Sequence, residues 1–278
     1  MIRARRSSAL LLVALLLAAC GGTTRLVYDG ANPAILLAAN RHLALEGDQW
    51  KLARAAIARF HAWHRRSELP RYAALFAEAA GRVQRGLGRA DVDWGLQNVR
   101  ARYTALVEAA VRESMPLVET FDAENVATLE RRFEQQNAKR LSDDPAKRAR
   151  ERVKTLVKRF EDWTGPLGDE QVELVRSFVA ATADHPYHAH ELRLRRQREL
   201  VAMVNRAVQT DSGPPPDQLR ALFLGWGLER TPERRRHEEA FVQLLLRLDG
   251  SLTVSQRARV VERLTAYAED ARVLARGA

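Results

Sequence analysis

The chain has 278 residues, with 45 lysines and arginines against 35 aspartates and glutamates, and a single cysteine. That length suits one large or two small domains, and one thiol excludes an internal disulfide framework. The net charge of +10 raises the question of nucleic acid, and the N-terminal segment answers it in the negative.

Arg3, Arg5 and Arg6 precede an apolar run from Ala9 to Ala19, 11 residues long. A membrane-spanning helix needs about 20 such residues, so the run has the length of a signal-peptide core. It ends in Leu17-Ala18-Ala19-Cys20. This resembles the bacterial lipobox, in which small residues precede a cysteine whose thiol is lipidated before cleavage. The resemblance implies a signal peptide over 1–19, then a lipidated cysteine and tether over 20–31. It also implies a covalent diacylglycerol and an N-acyl chain, such as palmitate, on Cys20, with no other cofactor. A single acyl chain anchors only marginally, at about 0.8 kcal/mol per buried methylene, and bacterial lipoproteins usually carry three. Gly21 stands where an inner-membrane lipoprotein typically has Asp. The expected location is therefore the outer membrane, on its periplasmic face. Nucleic acid is excluded as a partner at that address. Loss of Arg3, Arg5 and Arg6 lowers the charge from +10 to +7, and anionic headgroups, lipopolysaccharide phosphates or an acidic protein stay open as its counterparts.

Beyond the tether no segment alternates as a strand does, and apolar residues recur at helical spacing. Asn32-Pro33 starts a short helix to Leu43, with Asn as N-cap and Pro in the first turn. A second spans about 48–66, with Ala53, Ile57, Phe60 and His64 on one stripe. Pro70 marks a kink or a new start, and Gly86-Leu87-Gly88 a stop. A long helix from Asp93 should bend or end at Pro116. Asp122 caps the next, Ser142–Pro145 starts another, and Thr164-Gly165-Pro166 ends it. After Leu167 a helix is expected from Asp169 to Thr182. "DHPYHAHE" then interrupts, before a basic helix to about Val208. "TDSGPPP" is a loop, and three helices follow, starting near Asp217, Thr231 and Thr253. The expectation is all-α: about ten helices in a bundle or stacked hairpins. One body over 32–278 is favoured, and a division near residue 165 stays open.

"LEGDQ", "LGDEQ" and "LTVSQ" share Leu-x-x-x-Gln, with "FDAEN" (Phe121–Asn125) a looser copy, and each introduces a helix. Thr253 and Gln256 have capping-box spacing. "SLTVSQRARVVERL" resembles locally the LTxxQ signature of the Spy-like periplasmic chaperones, which would imply client binding without ATP. A wider resemblance rests on "RLVYDGANP", "LEGDQ", "AWHRRSELPRYAALF" and "LTVSQRARVVERLTAYAEDARVL". In these the chain resembles an uncharacterised family of proteobacterial lipoproteins, a domain of unknown function, over nearly its whole mature length. "WHRRSELPRYA" is the most specific part. That family implies location and helical character, and no activity.

The densest set of potential ligands is His185, His188 and His190 with Glu191. Imidazoles at i and i+3 can share a helix face and bind Zn²⁺ or Cu²⁺, but Pro186 intervenes, and a polar helix start is favoured over a metal site. His61 and His64 repeat the spacing, with a packing role expected for His64. Carboxylates lie among arginines at ion-pair spacing. There is no glycine-rich phosphate loop or G-x-S-x-G elbow, and no catalytic residue is assigned. Three basic clusters stand out: Lys147–Arg152, Arg193–Arg198 and Arg234–Arg236. In the second, Arg193, Arg195, Arg196 and Arg198 fan around Leu194. They form either a solvated face or a surface for an anion or partner. The expected role is a non-enzymatic, membrane-anchored interaction module in envelope maintenance. Client binding and metal-dependent or other enzyme chemistry are the alternatives.

Overall fold

A computed structural model describes residues 28–138 and 144–277. Cys20, the leading segment and residues 139–143 lie outside them. Among the described residues there are eleven α-helices and no strand: α1 Ala31–Leu43, α2 Gln49–Trp63, α3 Leu69–Arg85, α4 Arg89–Val118, α5 Ala123–Ala138, α6 Pro145–Thr164, α7 Asp169–Ala181, α8 His185–Thr210, α9 Pro216–Leu228, α10 Pro232–Ser251 and α11 Val254–Arg276. A π turn, His64–Glu68, joins α2 to α3 without a break.

Local chemistry explains most boundaries. The Asp144 side chain accepts from the amides of Ala146 and Lys147 at 2.9 and 3.0 Å, ahead of Pro145. Thr231 caps α10 and Thr253 caps α11, each accepting a backbone N–H at 3.2 Å. Gly165, with φ +80°, ends α6 in a conformation that L side chains rarely adopt. Four expectations shift. "HPYHAHE" is the first two turns of α8 rather than an interruption, because Pro186 sits where a first turn lacks amide partners anyway. Gly30, not Asn32, precedes α1. Pro116 lies so close to the end of α4 that the helix runs on to Val118. Tyr28 is buried at 8% exposure, so the body begins at or before residue 28 rather than at 32.

The four repeated helix starts meet in two pairs. Gln49 Nε2 donates to Asn125 Oδ1 at 2.8 Å, and Asn125 Nδ2 returns to Gln49 Oε1 at 3.2 Å. Gln171 and Gln256 exchange the same bonds at 2.9 and 3.0 Å. Each amide also donates to a carbonyl ahead of its partner's start: Thr120, Leu43, Ser251 and Pro166 respectively, at 2.7–3.0 Å. Each side-chain oxygen accepts its own N-terminal backbone N–H, from Glu46, Asp122, Gly168 or Thr253. All four buried amides thus use both donors and both acceptor sites, which is their full capacity.

Around these clasps the packing repeats. In the first, α1 lies on α5 and α2 on α4; in the second, α6 lies on α11 and α7 on α10. The same pattern of helix pairings therefore occurs twice in the chain. The largest helix pairing is α3 with α11, which ties the C-terminal end to the first half across residue 165. Its seam is rich in small residues, with Ala73 and Ala80 on α3 and Ala268 and Ala271 on α11 all buried. A larger cluster joins Val107 and Val111 of α4, Leu129 of α5, Leu200 and Val204 of α8 and Leu222 of α9.

Candidate functional site

The stretch Trp63–Ala73 builds an unusual joint. Pro70 has no N–H, and its ring would collide with the carbonyl four residues back in a regular helix. The preceding turn widens: the Leu69 amide bonds to the His64 carbonyl, five residues back. Helix thus continues through Pro70, and single π turns inside helices are frequent at functional sites.

The widened turn buries His64 and Glu68, at 4% and 0% exposure. The Glu68 carboxylate accepts from Arg71 at 2.8 Å and from Arg102 of α4 at 3.1 and 3.2 Å. A buried carboxylate is tolerable only with such partners. His64 Nδ1 lies 2.9 Å from the Tyr28 hydroxyl. Burial, with a smaller effect from His61, holds the His64 pKa at about 4. The ring is therefore neutral near pH 7 and shares one hydrogen bond with the Tyr28 hydroxyl, whose own pKa burial raises to about 12. His64 Nε2 is buried without a hydrogen-bond partner, so the packing role expected for His64 is met on one nitrogen only.

Tyr28 is enclosed on several sides. The His61 ring stands 4.4 Å from its ring centre, the Arg65 guanidinium lies 5.2 Å away, and Leu69, Tyr72 and Leu274 pack nearby. His61 Nε2 meets the Tyr28 carbonyl at 3.2 Å, and Arg65 pairs with Asp29. The motif is thus a socket that grips the chain at Tyr28, inside the stretch 20–31 expected to be tether. Glu68 and Tyr28 were not singled out as residues, but they lie in "WHRRSELPRYA" and "RLVYDGANP", two of the motifs that carry the family resemblance, and Pro70 within an apolar helical stripe marked the first of these.

The three histidines of "HPYHAHE" do not converge. His185 stacks on His237 of α10 with ring centres 3.4 Å apart. His188 faces Asp184 at 3.3 Å and Glu191 at 3.9 Å, and His190 meets Arg193. Among the described residues no group of three or more His, Cys, Asp or Glu side chains is placed to hold a metal.

The arginine fan is largely tied inward. Arg193 donates to Asn137 at 3.3 Å. Arg195 bonds to Glu229 at 2.6 Å, and Arg196 to Glu199 at 2.8 Å and to Glu229 as well. Glu229 sits at the end of α9, so these two arginines fasten α8 to it. Arg198 alone is exposed with no hydrogen bond or ion pair among the described residues. Large exposed apolar side chains stand singly: Leu37, Val99, Tyr187, Val254 and Val273 lie on four helices. No helix among the described residues is long and apolar enough to cross a membrane.

A family model described as a family of unknown function, DUF6279, matches residues 41–223. The match takes in the socket motif and the first clasp and ends before α10, so "LTVSQ" lies outside it. No curated protein matches the chain, and no solved structure does. A likeness to the Spy-like chaperones is not among the findings; the LTVSQ start is half of a clasp between helix starts.

Proposed function

This chain belongs to DUF6279, a family of unknown function, and from that premise we propose that it is a lipid-anchored helical module that binds an envelope partner at the periplasmic face of the outer membrane. The observation that carries the reading is the seating of Tyr28 in the socket built by "WHRRSELPRYA". Eight residue steps separate Cys20 from Tyr28, and they reach under about 30 Å even when fully extended. A body gripped at Tyr28 is thereby held close to whatever holds Cys20. The role proposed is binding rather than catalysis: Glu68 is held by two arginines and His64 Nδ1 by Tyr28, which leaves His64 Nε2 as the one buried polar atom of the socket without a partner.

Crosslinking in intact cells tests it, with purification of wild type and Cys20→Ser at matched expression. Wild type is expected to bring down an envelope component that the serine variant recovers poorly. Equal recovery from both, or cytoplasmic proteins alone, would overturn the reading.

A further inference from the structure

The Arg234–Arg236 cluster is not used by the socket. Arg234 and Arg235 border a cavity of about 310 Å³, where the start of α8, the end of α9 and the first turns of α10 meet α4. Two carboxylates share its lining, and both are occupied. Glu238 is held by Arg100 and, at 3.5 Å, by Arg230. Glu229 is held by Arg195 and Arg196 from outside. Arg234 and Arg235 have no carboxylate partner among the described residues. Arg234 donates to the carbonyls of Glu229 and Trp226 at 3.1 and 3.0 Å, and Arg235 to that of Arg230 at 2.8 Å. Each guanidinium has five N–H donors, so both keep donors for a ligand. The N-terminus of α10, capped by Thr231, adds the positive end of a helix dipole.

His185 and His237 line the same cavity as a stacked pair, rings 20° apart, and His185 Nδ1 is buried without a partner. Burial holds both imidazoles below their usual range, His185 at about 4; His237, Arg152 and Arg234 push His185 further down and Asp184 opposes them. Arg152 itself, half-buried, donates among the described residues to Thr182 alone. Burial disfavours charge of either sign, but the Arg152 and Arg234 guanidiniums beside the two rings attract an anion.

We propose that this cavity binds a phosphate monoester, with Arg234 and Arg235 as its guanidinium clamp. Guanidinium forks match phosphate oxygens two at a time, which lysine does not do. The volume reaches the lower end of the range for small-molecule sites, about 300–1,000 Å³, and exceeds what a bare phosphate fills. The ester group has room of its own. That chemistry is shared by a soluble phosphate ester and by a monoester lipid headgroup. The site is independent of lipid anchoring and stands or falls separately from it.

Titration calorimetry on the purified full chain tests the site with three probes: inorganic phosphate, sn-glycerol 3-phosphate and water-soluble dihexanoyl phosphatidate. Saturable binding of at least one of the two esters is expected, and binding of inorganic phosphate alone would overturn the proposal. Arg235 is exposed and holds only one carbonyl, so Arg235→Gln should fold normally and weaken binding about ten-fold or more, as expected for losing a charged hydrogen bond. Arg206→Gln removes the same charge about 30 Å away along α8 and should leave binding unchanged. Glycerol phosphate binding as tightly as the lipid analogue identifies a soluble ester; binding of the analogue alone identifies a headgroup. In the unmodified chain, ligand saturation should raise the His185 pKa, read by NMR. Binding of none of the probes, equal binding by Arg235→Gln, or a His185 pKa unmoved at saturation would overturn the proposal.

Discussion

Gln171 and Gln256 start two different helices, and each places its side-chain nitrogen on the other's side-chain oxygen, at 2.9 and 3.0 Å. The pair is buried, and each oxygen also closes its own helix start. Removing one member strands the other's donor and acceptor away from water, at a cost of about 1–3 kcal/mol, besides the lost cap. Gln171→Leu and Gln256→Leu should each destabilise the chain by at least that much. The double variant should cost less than the sum, with a coupling of about 0.5–3 kcal/mol. Urea unfolding of all four chains measures it, and strict additivity would contradict the clasp.

Glu68 tells its two arginines apart. Arg71 is 56% exposed, whereas Arg102 is 23% exposed. An exposed ion pair contributes about 0–1 kcal/mol, and breaking a buried one costs about 3–5. Arg102→Ala should therefore destabilise far more than Arg71→Ala, with Glu68→Ala at least as costly as Arg102→Ala. Equal effects of the two arginine variants in thermal unfolding would contradict the assignment.

The socket should be sensitive to acid. The His64 pKa falls from 6.5 in the open chain to about 4 in the fold. A lowered histidine pKa means that the proton favours the unfolded chain. The contribution is complete above pH 6.5 and is lost as pH falls towards 4, at about 1.4 kcal/mol per pH unit. Between pH 7 and 5 the wild type should lose roughly 2 kcal/mol more than His64→Gln. The carboxylates whose pKa is lowered, such as Asp91 and Glu113, titrate below that window. Parallel pH profiles for the two chains would show His64 to be protonatable in place.

Helix boundaries were legible wherever a local rule sets them. Asp122, Asp144-Pro145, Thr164-Gly165-Pro166 and Thr253 each act on amides or carbonyls within one turn. The clasps were half legible. The repeated starts are visible in the sequence, but the partner of each lies 76 or 85 residues away, and nothing local encodes that pairing. Pro186 misled because a proline's effect depends on its place in the helix, and here it sits in a first turn; Pro70, expected as a kink or a new start, does stand in the first turn of α3, but the π turn before it was not legible. The arginine fan was read as a solvated face or a surface for an anion or partner, and its ties to Glu229 were not legible because Glu229 is more than 30 residues from Arg195 and Arg196. His237, which completes the cavity with His185, carried no signal beyond its place beside Arg234–Arg236. The family match over 41–223 covers less of the chain than the motifs suggested.

The most direct measurement of the central claim, that a lipid on Cys20 anchors this body through the Tyr28 socket, is metabolic labelling with an alkyne fatty acid followed by membrane fractionation. Wild type is expected to carry the label and to sediment with the outer membrane, and Cys20→Ser to carry none and to leave that fraction. Equal labelling of the two chains, or an outer-membrane fraction unchanged by Cys20→Ser, would contradict the account.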